Sequence, residues 1–318
     1  MAFIWSLILF GVGFYVLIKG ANVLIRGAAS IAKIFGLSAW FIGMVIVGIG
    51  TSIPEFSINV ASVFDGSSVG LATIIGSNTF NTLFILGLAA LVAPLTFRRE
   101  WIVRDLPLNI IAVLVATAAI LLPVFGGEIH GISRLEGLVL TVLLFGWLFF
   151  MLHRRGTSDD GADTEVFSWT ASLIFIFAGL VGVFIGGKWV IDGAVTIATL
   201  AGVSPAFVGF TAVAIGTSMP ELVVSLVAAW KKQTSLAVGN VIGSNIFDFL
   251  GILGITALIR PVAVLESIKF DIFATLGATL LLLLSALYIG KRFTLTRTEG
   301  CIFVFLYLVY FGFLFIRG

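Results

Sequence analysis

The chain has 318 residues, 60% of them hydrophobic and only 11% charged, with a formal net charge of +2. Soluble domains carry roughly 25% charged residues, so this composition excludes an ordinary soluble enzyme, a disordered protein and a nucleic-acid binder. A bilayer-embedded protein fits, and at about 20 residues per span the length allows about ten helices with short connections.

In chain order the apolar runs cover 3–19, 40–64, 69–93, 106–125, 135–152, 168–187, 205–229, 236–259, 270–289 and 300–316. They are long and continuous, without alternation at period 2, and so read as helices of an all-α membrane protein rather than barrel strands. Residues 20–39 and 188–204 are amphipathic and Gly-rich, and extend the first and sixth helices. The first run lacks the basic start of a signal peptide. Glycines line both extended helices: Gly11, Gly13, Gly20 and Gly27 in one, Gly179, Gly182, Gly186 and Gly193 in the other. They predict smooth, closely packed faces. Cys301, the single cysteine, sits in the last apolar run and reads as a buried, inert thiol.

Shifted by 166 positions, the sequence meets itself. Gly20–Ala28 lies over Gly186–Ala194, Gly36-Leu37-Ser38 over Gly202-Val203-Ser204, and Ile49–Glu55 over Ile215–Glu221. After the next connection the offset becomes 167, and Ile75–Asn81 lies over Ile242–Asp248. Two halves of five helices follow: 1–153, a polar linker over 154–167, and 168–318. Five is odd, so the second half must enter the bilayer with the opposite polarity, giving ten transmembrane helices as two inverted-topology repeats.

Basic residues give the orientation. With the N-terminus outside, the inner connections hold Lys33, Arg98, Arg99, Arg104, Arg154, Arg155, Lys231, Lys232, Lys291, Arg292 and Arg297, and the outer ones only Arg134, Arg260, Lys269 and Arg317. Both termini are therefore expected outside and the 154–167 loop in the cytoplasm. The acidic stretch Asp159–Glu165 lacks a ligand-loop pattern and reads as a solvated linker.

Of the 16 acidic residues, most fall in connections, whereas Glu55, Glu221 and Asp248 fall inside helices near the expected midplane. A charge there costs at least about 2.5–3.5 kcal/mol, and no Lys or Arg occurs in the same motif segments. A bound cation would supply the missing charge. Thr51, Ser52 and Glu55 share a helical turn, as do Thr217, Ser218 and Glu221. Pro54 and Pro220 have no N–H for the carbonyls of Gly50 and Gly216. Ser77 and Asn81 are spaced i, i+4, as are Ser244 and Asp248, so each pair shares a helix face. Gly48 and Ala214 are also counted among the candidate ligands. All offer oxygen, which suits Na⁺ or Ca²⁺ rather than Zn²⁺ or Cu⁺. His130 and His153 lie in connections and have no ligand partners at metal spacing.

The paired motifs Gly50–Glu55 with Gly76–Asn81, and Gly216–Glu221 with Gly243–Asp248, resemble the two α-repeats of the cation/Ca²⁺ exchanger superfamily, in particular its compact prokaryotic Na⁺/Ca²⁺ exchangers. The resemblance covers both halves. It implies antiport of several Na⁺ against one Ca²⁺, with Glu55 and Glu221 as central ligands and backbone carbonyls from Thr51 and Thr217. It further implies flanking Na⁺ sites at Ser52, Ser77, Ser218 and Ser244, a centre completed by Asn81 and Asp248, and first and sixth helices that move across the other eight. No cofactor, nucleic acid or obligatory protein partner is implied; the partners are the transported ions and the lipid bilayer. Glu221 matches K⁺-independent members and Asp248 K⁺-dependent ones, so K⁺-dependent or Ca²⁺/H⁺ exchange stands as the alternative. A cation channel would usually place its pore on an oligomer axis, and a membrane enzyme would lack any midplane His, Cys or Lys to share the chemistry.

Overall fold

A computed structural model describes residues 2–64, 69–122, 131–153, 165–200, 215–264 and 268–317. Apart from four two-residue strands the described chain is helical. It comprises α1 (Ala2–Phe35), α2 (Ala39–Thr51), α3 (Ile53–Phe64), α4 (Val69–Val92), α5 (Trp101–Leu121) and α6 (Arg134–His153), then α7 (Trp169–Leu200), α8 (Met219–Trp230), α9 (Thr234–Ile259), α10 (Ile268–Tyr288) and α11 (Arg297–Arg317). Among the described residues eight helices are long and apolar enough to cross a bilayer, and the α2–α3 pair makes a ninth, bent by 42° at its break. The predicted run over 205–229 is described only from residue 215; residues 201–214, and Ala214 with them, lie outside the described residues.

Burial follows from lipid exposure. In α4 and α9, 78% of the apolar window is buried, against 22% in α11. The motif-bearing helices therefore sit at the centre, and the uniformly apolar ones face the hydrocarbon. This corrects the reading of Cys301, which is exposed on α11. An apolar run in a membrane protein has no need to turn inward, because lipid solvates it as well as protein does.

Local geometry recurs in both halves. The helix axis breaks at Ser52 (φ −82°, ψ 9°) and again at Ser218 (φ −89°, ψ 7°). Wide, π-helical turns occur at Phe80–Ile85 and Phe247–Ile252, 167 positions apart. Strand β1 (Leu95–Thr96) pairs antiparallel with β4 (Thr294–Leu295), and β2 (Gly131–Ile132) with β3 (Val262–Ala263).

α1 and α7 pack antiparallel along a glycine seam. A Cβ on Gly20 would stand 2.6 Å from the Val183 amide nitrogen, and one on Gly186 would stand 2.4 Å from that of Leu17. Gly11 meets no described atom within 4 Å and is not part of the seam. The tightest crossing is elsewhere: a Cβ on Gly243 of α9 would lie 2.0 Å from the Met44 carbonyl oxygen and 2.5 Å from its Cα. Backbone cannot step aside, so Gly243→Ala should destabilise the protein by about 1–3 kcal/mol, the usual cost of overpacking. Gly146→Ala, whose Cβ meets no described atom within 4 Å, should melt at or slightly above wild type, since alanine is the better helix former. Melting of the two variants in detergent checks the contrast.

Among the described residues four further acids are buried, although they fall at or near connections. Glu136 and Glu299 close capping boxes: Oε2 of Glu136 accepts from the Ser133 amide at 2.7 Å, and Oε2 of Glu299 from the Thr296 amide at 2.7 Å. Asp105 accepts from Arg104 Nε at 2.6 Å and from its Nη2 at 2.8 Å. Asp271 accepts from Arg317 at 2.7 Å and Tyr310 at 3.2 Å. Each carries its partner at a helix end, so none resembles the three midplane acids.

Candidate ion-binding site

Prolines set the local path of the site. Pro54 and Pro220 stand in the first turn of α3 and α8, where no intrahelical N–H is required. The sequence suggests a proline inside a continuous helix; the structure instead breaks the helix at the preceding serine and restarts it. Glu55 and Glu221 consequently occupy the first turn of a new helix, where the positive end of the helix dipole favours an anion.

The two breaks face each other across the halves. Ser52 Oγ donates to Glu221 Oε1 at 3.1 Å, and Ser218 Oγ donates to Glu55 Oε1 at 3.2 Å. Each carboxylate is thus held by the serine of the opposite repeat. Ser244 Oγ donates to the Gly48 carbonyl at 3.1 Å and also reaches Glu221 Oε1 at 3.4 Å. Thr51 Oγ1 donates to the Gly48 carbonyl and to Asn240 Oδ1, both at 3.2 Å. Thr217 is within hydrogen-bonding reach of Glu55. Ser77 and Ser52 stand beside Asp248, and Ser77 Oγ donates back to the Ile74 carbonyl at 3.1 Å.

All these side chains are buried. Glu55, Glu221 and Asp248 are each 1% exposed, and Glu55 feels the charge of both other acids. Glu55 Oε2, Glu221 Oε2, Asp248 Oδ1 and Asn81 Oδ1 are buried with no hydrogen-bond partner among the described residues. An unmet carboxylate oxygen in low dielectric is costly, and a cation held between these oxygens would relieve that cost. Among the described residues no three His, Cys, Asp or Glu side chains cluster as metal ligands by themselves. A cation here would draw on hydroxyl, amide and carbonyl oxygens together with carboxylates, as hard cations do.

Eleven of the twelve candidate residues therefore fall at or beside one buried centre, and Ala214 is outside the described residues. Behind them lies a polar layer that the repeated motifs do not single out. Asn240 Nδ2 donates to Ser225 Oγ at 2.9 Å and the Glu221 carbonyl at 3.3 Å, and Asn59 Nδ2 donates to the Glu55 carbonyl at 2.9 Å. Asn240 was within reach of pattern: Asn240, Ser244 and Asp248 form an i, i+4 polar stripe in an apolar helix. Arg26 and Asp192 lie outside the centre, Arg26 pairing with Glu165 and Asp192 with Lys188 at exposed positions.

Fold and centre together define a helical integral membrane protein that buries an acidic, oxygen-lined site at facing helix breaks. Comparison with known proteins narrows the class. The model of the family "Sodium/calcium exchanger protein" matches residues 5–153 and 171–316. The chain is 34% identical over 268 residues to inner membrane protein YrbG of Escherichia coli strain K12, covering 79% of this chain and 78% of the relative. It is 28% identical over 352 residues to sodium/calcium exchanger MaX1 of Methanosarcina acetivorans, covering 95% and 96%. A solved structure of the sodium-calcium exchanger NCX_Mj, soaked with Na⁺ and Sr²⁺, matches with a TM-score of 0.84 at 29% identity over 98% of this chain and 99% of that one. The chain belongs to the sodium/calcium exchanger family and groups with its compact prokaryotic members. Cation/Ca²⁺ exchange is the activity of this class, which is transport rather than enzymatic catalysis and uses no cofactor.

Proposed function

We propose that the protein is a secondary antiporter exchanging Na⁺ for Ca²⁺ by alternating access. Glu55 and Glu221 are the central ligands, Asp248 and Asn81 complete the centre, and Ser52, Ser77, Ser218 and Ser244 line flanking Na⁺ positions. Thr51 and Thr217 contribute their carbonyl oxygens, and Gly48 is a further candidate ligand, with Ala214 outside the described residues. The observation that carries this reading is the reciprocal pair Ser52–Glu221 and Ser218–Glu55, which joins the two repeats through carboxylates whose second oxygens are unmet. Up to three carboxylates balance one Ca²⁺ or a few Na⁺. Empty, they leave net negative charge in low dielectric, which opposes passage of the centre across the membrane. Loaded, they are close to neutral. One site set filled in turn by either ion thus enforces exchange.

The reading takes 1–153 and 168–318 as inverted five-helix repeats joined by a cytoplasmic 154–167 linker, with both termini outside a prokaryotic cell membrane. The strand pairs support it. α5 has 21 residues and spans about 30 Å, so β1 and β2 lie at opposite ends of the bundle. Exchanging the halves turns the β1–β4 pair into the β3–β2 pair, and so turns the bundle upside down. Arg98, Arg99, Arg292 and Arg297 flank the β1–β4 pair, whereas Arg134 and Arg260 flank the other. Lys231 shares the inner end with Arg26, its ammonium pKa lowered by burial and then by that guanidinium.

Purified protein in vesicles should take up ⁴⁵Ca²⁺ when Na⁺ is imposed inside and removed outside. Uptake that ignores Na⁺ and follows a pH gradient would identify Ca²⁺/H⁺ exchange. Uptake that also needs K⁺ would identify the K⁺-dependent type, and currents beyond transporter rates a channel.

A further inference from the structure

Behind the centre, two asparagines that carry no proposed ion contact cross between α4 and α9. Asn78 and Asn81 are neighbours at i, i+3 on α4, and Asn245 and Asp248 are their equivalents on α9. The pairs bond crosswise: Asn78 Nδ2 donates to Asp248 Oδ2 at 2.9 Å, and Asn81 Nδ2 donates to Asn245 Oδ1 at 3.1 Å. In both bonds the donor is on α4. For Asn78 the bond runs from its amino group to a carboxylate oxygen of Asp248. For Asn81 the partner is an amide, which can present either end, and the next contact along bears on which end it presents. Asn245 Nδ2 donates to Thr82 Oγ1 at 2.9 Å. In this arrangement the amino end of Asn245 is engaged by Thr82, and its carbonyl faces Asn81. Asn81 then spends its own amino group, and its Oδ1 is left buried and without a partner among the described residues.

We infer that Thr82 and Asn245 are positioning residues for Asn81: their relay of two hydrogen bonds turns the carbonyl oxygen of Asn81, rather than its amino group, to the cation. This deepens the exchange reading above and rests on it. Reversing the relay would aim N–H groups at a cation, which repels where the carbonyl attracts. Thr82, Asn245 and Asn81 are each at most 1% exposed, so bulk water does not reach the relay in this arrangement.

The test is a double-mutant cycle on Ca²⁺ half-saturation, measured by ⁴⁵Ca²⁺ binding to purified protein in detergent and by flux in vesicles. Thr82→Val keeps the shape and removes the acceptor; it should raise half-saturation roughly tenfold, the scale of one lost buried hydrogen bond. Thr82→Ser keeps the acceptor and should stay within about twofold. In an Asn81→Ala background Thr82→Val should add less than about twofold, because Thr82 acts through Asn81. A merely structural role would give the same factor in both backgrounds, and that result overturns the relay, as does a Thr82→Val protein that binds like wild type. Should Thr82→Val not fold, Asn245→Ala takes its place in the same cycle with the same two outcomes. The two readings fail separately. Wild-type protein that binds Ca²⁺ but shows no Na⁺-driven flux removes the exchange reading and leaves the relay measurable; protein that binds no Ca²⁺ overturns both.

Discussion

Vesicles carrying Glu55→Gln protein will show Na⁺-driven Ca²⁺ uptake at least about 100-fold below wild type, while the purified variant elutes and melts like the parent in the absence of cations. Glutamine keeps the size of the side chain and an oxygen to accept from Ser218 Oγ, whose bond to Glu55 is 3.2 Å. What it removes is one charge of a buried set of three. Taking one member from a buried, compensated charge group typically costs 3–5 kcal/mol, and 1.4 kcal/mol is a factor of ten. Without cations the sign reverses: three carboxylates repel one another, and deleting one relieves that repulsion. Loss of transport with unimpaired stability is therefore the signature of a ligand. Retained flux would refute the central role given to Glu55.

The second large effect is on stability. Ligand at a hundred times its Kd stabilises by about 2.7 kcal/mol, and in a protein of this size each kcal/mol moves the midpoint by about 2–4 °C. Saturating Ca²⁺ should raise the melting temperature of detergent-solubilised protein by about 5–10 °C over a chelator-treated sample. Na⁺ should do the same at higher concentration and should compete with Ca²⁺, since one site set serves both. Mg²⁺ should do little, because it sheds its water reluctantly and demands strict octahedral geometry. Glu55→Gln and Glu221→Gln should lose the Ca²⁺ shift. Equal melting of wild type in chelator and in Ca²⁺ would mean that the unmet oxygens of Glu55, Glu221 and Asp248 bind no cation.

Much of this site is legible in the primary structure because two strong signals coincide there. Carboxylates in apolar runs are rare enough to stand out, and the offset of 166–167 picks out Glu55 with Glu221 as a matched pair. The small polar residues around them are legible through helical spacing alone. What escapes is whatever depends on the contact of distant segments. Asn78 and Asn245 lie inside the repeated Gly-Ser-Asn motifs, yet nothing local says that one meets Asp248 and the other Asn81. Asp105, Glu136, Asp271 and Glu299 look like solvated connection acids in sequence, and only the fold shows each buried against its own partner. Cys301 goes the other way, since in a membrane protein an apolar neighbourhood does not distinguish interior from lipid face.

The breaks at Ser52 and Ser218 mark the dividing line most clearly. Composition, hydropathy and repeat by themselves determine a helical membrane protein with two related halves, because a bilayer leaves the backbone few ways to satisfy its hydrogen bonds. They also determine which acids must be compensated, because an unpaired midplane charge is too costly to be incidental. The proline before each glutamate announces a disturbed helix but not its form. Tertiary structure decides that the helix stops and restarts, that each glutamate sits at the new N-terminus, and that the serine of one half holds the carboxylate of the other. Those outcomes depend on how closely α2 and α3 approach α8 and α9, a distance set by packing such as Gly243 against the Met44 backbone, and no local pattern encodes it.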